Sequence, residues 1–135
     1  MTAIYIITHP NIGEVLLTNC QKIIGEITIP TKIISVDPKD NIEIAKNKAA
    51  ITLKEIENIG PLLILTDIPG ASPSNLAFSL KPKCHYAVIT GINLAMLVSI
   101  YNYPKMQLDF LVKKAIDNGK KAITATIKNE TKVLI

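Results

Sequence analysis

Ile4-Tyr5-Ile6-Ile7-Thr8-His9-Pro10 is the stretch that decides the fold. A run of mostly β-branched apolar residues breaks off at a histidine and a proline, the pattern of a strand buried on both faces. Strands covered on both faces belong to parallel sheets with helical crossovers, and in open sheets of this kind ligands gather at the carboxyl ends of the strands. His9 stands at such an end. Its charge can change near neutral pH, and titratable groups with perturbed pKa values collect in these crevices. Simple closure of the strand is the competing role.

Outward from that strand, elements alternate. Asn11 is placed to cap a helix, with Glu14 reaching back as in a capping box. Ile12, Val15, Leu16, Cys20, Ile23 and Ile24 form its apolar stripe, and Gly25 ends it. Thr28-Ile29-Pro30 is a connector to a second strand, Lys32–Val36. The turn Asp37-Pro38-Lys39-Asp40 leads to a helix from about Asn41 to Asn58, with Ile42, Ala45, Ala49, Leu53 and Ile56 inward and a charged outer face. Gly60-Pro61 stops it. Leu62–Thr66 is a third strand ended by Asp67. The loop Ile68-Pro69-Gly70-Ala71 reaches Ser72, an N-cap with Pro73 at the first helical position of a short helix to Leu80. A fourth strand lies near His85–Thr90, and Gly91-Ile92-Asn93 opens a helix carrying Leu94, Leu97, Val98 and Tyr101. Another helix, about Gln107–Asn118, presents Leu108, Leu111, Val112, Ala115 and Ile116, with Gly119 as C-cap. Ala122–Ile127 alternates apolar residues with threonine, as a half-exposed edge strand does.

This alternation predicts a single α/β domain over residues 1–135. It would be doubly wound, with a mostly parallel sheet in the order 2-1-3-4, helices on both faces and a fifth, antiparallel edge strand. The unpaired edge and the apolar Val133-Leu134-Ile135 predict a homodimer, since exposed edges are commonly covered and twofold pairing is the commonest way.

Composition narrows the function. The net charge is +4, but all fifteen cations are lysine, and no basic run is interleaved with aromatics. Base readout leans on the planar arginine fork, so nucleic acid is not the expected partner. No apolar run approaches the roughly 18 residues that cross a bilayer, so no direct membrane insertion is expected. Nothing at the N-terminus marks export. Cys20 and Cys84 make neither a disulfide framework nor, with His85, a metal spacing. A reduced, cytoplasmic protein without metal or cofactor is the expectation.

In the order 2-1-3-4, the junction of strands one and three is the topological switch point, and His9 faces Asp67 across it. A carboxylate that accepts one imidazole N–H fixes the tautomer, leaves the other nitrogen free to attack, and stabilises the cation so formed. The amides of Gly70, Ala71 and Ser72 and the Ser72 hydroxyl could hold phosphoryl oxygens at a helix N-terminus. Taken singly, Asp67 and Ser72 would simply cap turns; with His9 at the switch point they favour an anion-transfer site.

Three blocks carry a family likeness: Ile7-Thr8-His9, Leu65–Asn75 around Asp67-Ile68-Pro69-Gly70-Ala71-Ser72-Pro73, and Val88–Leu97 around Thr90-Gly91-Ile92-Asn93. Together they resemble the mannose-type enzyme IIA domain of the bacterial phosphoenolpyruvate-dependent sugar phosphotransferase system. The resemblance runs through Lys113-Lys114-Ala115-Ile116 and Gly119-Lys120. It implies that His9 is phosphorylated, that Asp67 orients it and that Ser72 bonds the phosphate. It also implies a four-stranded parallel sheet with an antiparallel fifth strand involved in dimerisation. The chain departs from the family pattern at Pro10, where glycine is common, and at Pro69-Gly70-Ala71, where Phe-Gly-Gly is common. Pro10 has no amide to offer a phosphate, and Pro69 removes an aromatic from the rim where a partner would dock.

The resemblance implies a phosphocarrier that takes a phosphoryl group from the histidine phosphocarrier protein and gives it to an enzyme IIB. No IIB domain or flexible linker follows Ile135, so that acceptor is expected to be a separate chain or to be missing. The alternative is a regulatory phosphoprotein, whose His9 state signals to another protein without sugar transport. A receiver-type domain fits less well, because strand one ends in Thr8-His9 instead of an acidic pair for magnesium. A nucleotide fold would carry G-x-G-x-x-G or a P-loop, and neither occurs.

Overall fold

A computed structural model describes residues 1–129 and the backbone of Lys132–Leu134. The elements follow in the order β1 (Ala3–Thr8), α1 (Ile12–Ile24), β2 (Thr31–Ser35), α2 (Ile42–Ile56), β3 (Leu62–Thr66) and α3 (Ser72–Ser79). They continue with β4 (Tyr86–Ile89), α4 (Leu94–Tyr101), α5 (Leu108–Lys121), β5 (Ile127–Asn129) and β6 (Lys132–Leu134). Strands β2-β1-β3-β4 form one parallel sheet in that order. Each connection carries a helix, as parallel neighbours require.

β1 is buried along its whole length, and so is β3. Alternation divides their side chains between two cores. Ala3, Tyr5, Ile7, Leu62 and Ile64 pack with Ala49, Leu53 and Ile56 of α2 and with Leu76 and Ala77 of α3. Ile4, Ile6, Leu63 and Leu65 pack with Cys20 of α1, with Leu97 and Ile100 of α4, and with Leu111 and Ala115 of α5. Full burial of each large side chain contributes about 1.5–3 kcal/mol. The two central strands are thereby fixed from both faces, and their carboxyl ends cannot drift apart.

Several local expectations are corrected. Asn11 does not cap α1 through its side chain, and Glu14 does not close a capping box. Asn11 takes a left-handed conformation (φ 70°), Gly13 N–H donates to Thr8 Oγ1 at 3.0 Å, and Glu14 instead accepts from Ser35 Oγ at 3.0 Å. Ile12, Val15 and Ile23 on the apolar stripe of α1 are exposed, as is Ile42 on the supposed inner face of α2. Neither is the outer face of α2 wholly charged, for Ile44 and Ile51 are exposed on it. Gly119 is not a C-cap. It lies within α5, where a Cβ would meet Met96 Cε and Asn93 Nδ2 at 3.2 Å, so its small size permits α5 to approach α4.

The fifth strand also differs from expectation. Residues 123–126 are irregular, and β5 begins only at Ile127. It pairs antiparallel with β6 in a separate two-stranded sheet and is not an edge of the four-stranded one. Of the apolar terminus Val133-Leu134-Ile135, the first two contribute backbone to β6 and Ile135 lies outside the described residues.

Candidate active site

The chain leaves β1 at Thr8 and β3 at Thr66, two adjacent strands whose register pairs Ile7 with Thr66. The residues just beyond them, His9 and Asp67, are thus brought together by strand pairing alone. Thr8 secures the first exit, because its hydroxyl accepts from Gly13 N–H and donates to the His9 carbonyl at 2.8 Å. The second exit is fixed by the loop after β4, where Gly91 N–H donates to the Asp67 carbonyl at 2.6 Å and Ile92 N–H to that of Thr66 at 2.9 Å.

His9 and Asp67 form one unit. Asp67 Oδ2 accepts from His9 Nδ1 at 2.7 Å and from the His9 backbone N–H at 2.9 Å. Asp67 Oδ1 accepts from Ile68 N–H at 2.9 Å. A carboxylate can only accept, so Nδ1 carries the proton, and in the neutral ring Nε2 is the nitrogen that keeps its lone pair. The aspartate is 8% exposed and the histidine 25%, which leaves the ring reachable. Burial, the largest single influence on Asp67, pushes its pKa up. The His9 backbone and ring donors, the Ile68 amide and the charge of His9 together outweigh it, and the carboxyl is held below its ordinary 3.8. Asp67 is ionised at neutral pH, able to steady a positive imidazole.

The loop Ile68–Ala71 turns sharply, with Gly70 at φ +84°, a conformation glycine adopts freely. Ala71 occupies the cap position of α3 and Ser72 the first helical position, one residue on from expectation. The Ala71 amide is drawn back to the Ile68 carbonyl at 3.4 Å. Ser74 Oγ donates to the Ala71 carbonyl and Asn75 Nδ2 to that of Gly70, so side chains from the first turn of α3 brace the loop. The Ser72 amide lies in that first turn, where a helix offers no internal acceptor. The structure thus pairs His9 with Asp67 directly, whereas Gly70, Ala71 and Ser72 make no direct hydrogen bond to either side chain.

The residue patterns alone passed over two supports. Thr8 was readable only as part of an apolar run, though a hydroxyl directly before the histidine was a signal. Gly91 reads in the sequence only as a helix opener, and its bond to Asp67 depends on strand order. Thr66 Oγ1 is the one buried side-chain polar atom without a hydrogen-bond partner among the described residues.

Three comparisons bear on this arrangement. The family model described as "PTS system fructose IIA component" (EIIA-man) matches residues 3–116. The "PTS system mannose-specific EIIAB component" of Escherichia coli K12 is 32% identical over 126 residues, covering 91% of this chain and 39% of that protein. The chain therefore spans about two fifths of the length of the curated relatives it matches. Among solved structures, the mannose/sorbose-specific IIA subunit of the phosphotransferase system from Enterococcus faecalis superimposes with a TM-score of 0.81 and 28% identity, over 97% of this chain and 98% of that one. The phosphotransferase system component EIIA from Streptococcus agalactiae gives 0.79 over 93% and 97%, and at 23% identity supports the fold alone. With the family model covering most of its length, the chain belongs to the mannose-type IIA family of the phosphotransferase system.

Proposed function

We propose that this IIA component is a phosphohistidine carrier, in which His9 Nε2 takes a phosphoryl group from the histidine phosphocarrier protein and passes it to an enzyme IIB. The observation that carries the reading is Asp67 Oδ2 accepting from His9 Nδ1, which leaves Nε2 as the free nucleophile. The Nε2 lone pair attacks phosphorus, and the bond from phosphorus to the donor's imidazole breaks with its electron pair returning to that ring. The Nδ1 proton stays between His9 and Asp67. The positive charge that develops on the ring lies against the ionised carboxylate. Because both partners are phosphohistidine or phosphoaccepting side chains, the step runs in either direction. Ser72 and the amides of Gly70 and Ala71 are proposed to hold the phosphoryl oxygens near the N-terminus of α3.

An acceptor of the IIB kind is supported by the Escherichia coli relative, whose name joins an A to a B component. Among the described residues no helix is long and apolar enough to cross a membrane. We place the carrier in the cytoplasm, as a homodimer. Sedimentation of the full chain against one ending at Ala122 tests the dimer; a full-length monomer at tens of micromolar would contradict it.

Incubation with enzyme I, phosphoenolpyruvate and the histidine phosphocarrier protein tests the function. One acid-labile, alkali-stable phosphate on His9 is expected. An alkali-labile phosphate on Asp67, or none at all, would overturn the reading. Addition of an enzyme IIB separates carriage from signalling: loss of label from His9 to that protein supports the carrier, and retention supports the regulatory alternative.

A further inference from the structure

Thr66 is fully buried, yet its hydroxyl has no hydrogen-bond partner. Leaving such a group unpaired is unfavourable, and valine would fill the same space without that penalty. A threonine here therefore calls for a partner that the resting chain does not supply.

Strand alternation says where the hydroxyl lies. Leu62 and Ile64 of β3, and Ala3, Tyr5 and Ile7 of β1, share the core covered by α2 and α3. Continuing the alternation puts Thr66 on that same face at the carboxyl end of β3, and His9 follows the carboxyl end of the neighbouring β1. Thr66 is registered with Ile7, two residues before His9. With strands about 4.8 Å apart and a rise of about 3.3 Å per residue, positions offset by two residues on neighbouring parallel strands have Cα atoms roughly 8 Å apart, a span that a phosphorylated imidazole can bridge. The ring is drawn toward β3 by its bond to Asp67, the residue after Thr66. The first turn of α3 closes the same corner, with Pro73 and Ser74 both buried.

We infer that the Thr66 hydroxyl is a hydrogen-bond donor held in reserve for the phosphoryl group of His9, a partner it gains only in the phosphorylated state. The inference rests on the carrier reading above and adds a residue to it. A phosphoryl group brings three strong acceptor oxygens to the histidine, and Thr66 carries the buried side-chain donor on that face with no acceptor of its own. No bond is made or broken at Thr66. Its effect is to favour the phosphorylated chain in exchange with the donor.

The test equilibrates the wild type, Thr66→Val and Thr66→Ser with phosphorylated histidine phosphocarrier protein and reads the distribution of phosphate between the two proteins. Melting temperatures of the unphosphorylated forms are measured beside it. Thr66→Val is expected to shift the distribution toward the donor by about tenfold, the value of one hydrogen bond to a charged group, while melting at or above the wild-type temperature. Thr66→Ser should recover most of the wild-type distribution. A valine variant that shares phosphate as the wild type does would overturn the inference while leaving the carrier intact. So would a valine variant that melts lower, since the hydroxyl would then have a partner in the resting chain. Absence of phosphate on wild-type His9 would instead remove the carrier reading, and this inference with it.

Discussion

Two histidine–aspartate pairs sit at opposite ends of the same sheet. His9 follows β1 at the carboxyl end, and His85 precedes β4 at the amino end. In the first pair Nδ1 meets a buried carboxylate at 2.7 Å; in the second Nε2 meets Asp109 at 3.0 Å, with side chains 66% and 84% exposed. Asp67 has two further backbone donors, from His9 and Ile68, whereas the bond described for Asp109 is the one to His85. The residue types are identical, so identity is not what makes a site. Position is: two buried strands ending side by side hold one pair on a buried carboxylate with three donors, and a strand start beside a helix N-terminus leaves the other in solvent, where an ion pair is worth about 0–1 kcal/mol.

Removing each histidine should separate the pairs most sharply. His9→Ala is expected to abolish phosphorylation, and His85→Ala to leave it at the wild-type rate; label incorporation followed by proteolytic mapping checks both. Comparable losses from the two variants would erase the distinction.

Next in size is the carboxylate. Asp67→Asn should slow phosphorylation by roughly two to four orders of magnitude, by analogy with loss of the orienting aspartate in hydrolytic triads. It should also lower stability by about 1–3 kcal/mol, because an amide nitrogen in either orientation faces an N–H that needs an acceptor. Asp109→Asn should change neither quantity measurably. Rapid-quench kinetics and thermal melts of both variants supply the readings.

Thr8→Val tests the scaffold beneath the first pair. It deprives the Gly13 amide of its acceptor, so a loss of about 1–3 kcal/mol is expected, seen as an earlier urea midpoint. Phosphorylation of the folded fraction should fall far less than in Asp67→Asn.

Acid gives the smallest and most selective effect. Asp67 is held below its ordinary 3.8, so its contribution to stability is complete above that value and fades as pH falls through the lower, folded one. Wild type should therefore lose stability toward Asp67→Asn as pH drops below about 4, and the two melting curves should converge. A constant gap down to the lowest accessible pH would mean that the carboxylate is not favoured by its donors.

Much of this was readable from residues. β1 and β3 announce themselves as uninterrupted apolar runs, and two such runs in a βα alternation can hardly avoid being neighbours. Once they are, His9 and Asp67 must meet. What could not be read were features that depend on a third element. Asn11 resembles a helix cap, but Thr8 from the preceding strand serves the Gly13 amide, and Asn11 is free to turn left-handed. Ile12, Val15 and Ile23 have helical spacing, yet spacing does not say whether a neighbour covers them. Gly119 looked like a terminus because α4 lies outside its local sequence. Ala122–Ile127 alternates as a strand does, but alternation names no partner, and the segment pairs only from Ile127 onward, with β6. Ser72 reads as the N-cap of α3 but is its first helical residue, after Ala71, and its hydroxyl has no described bond to His9.

One oxygen, Asp67 Oδ2, takes both the main-chain and the ring N–H of His9. The ring is thereby tethered at both ends of its own side chain, and the torsions that would swing it are arrested. A histidine on a mobile arm would have to find its orientation at every encounter, and the ordering of a side chain can take up to about 2 kcal/mol. Here that ordering belongs to folding and is finished before any partner arrives. In the carrier proposed above, Nε2 would meet its partner already held to one heading, with no side-chain search at each encounter.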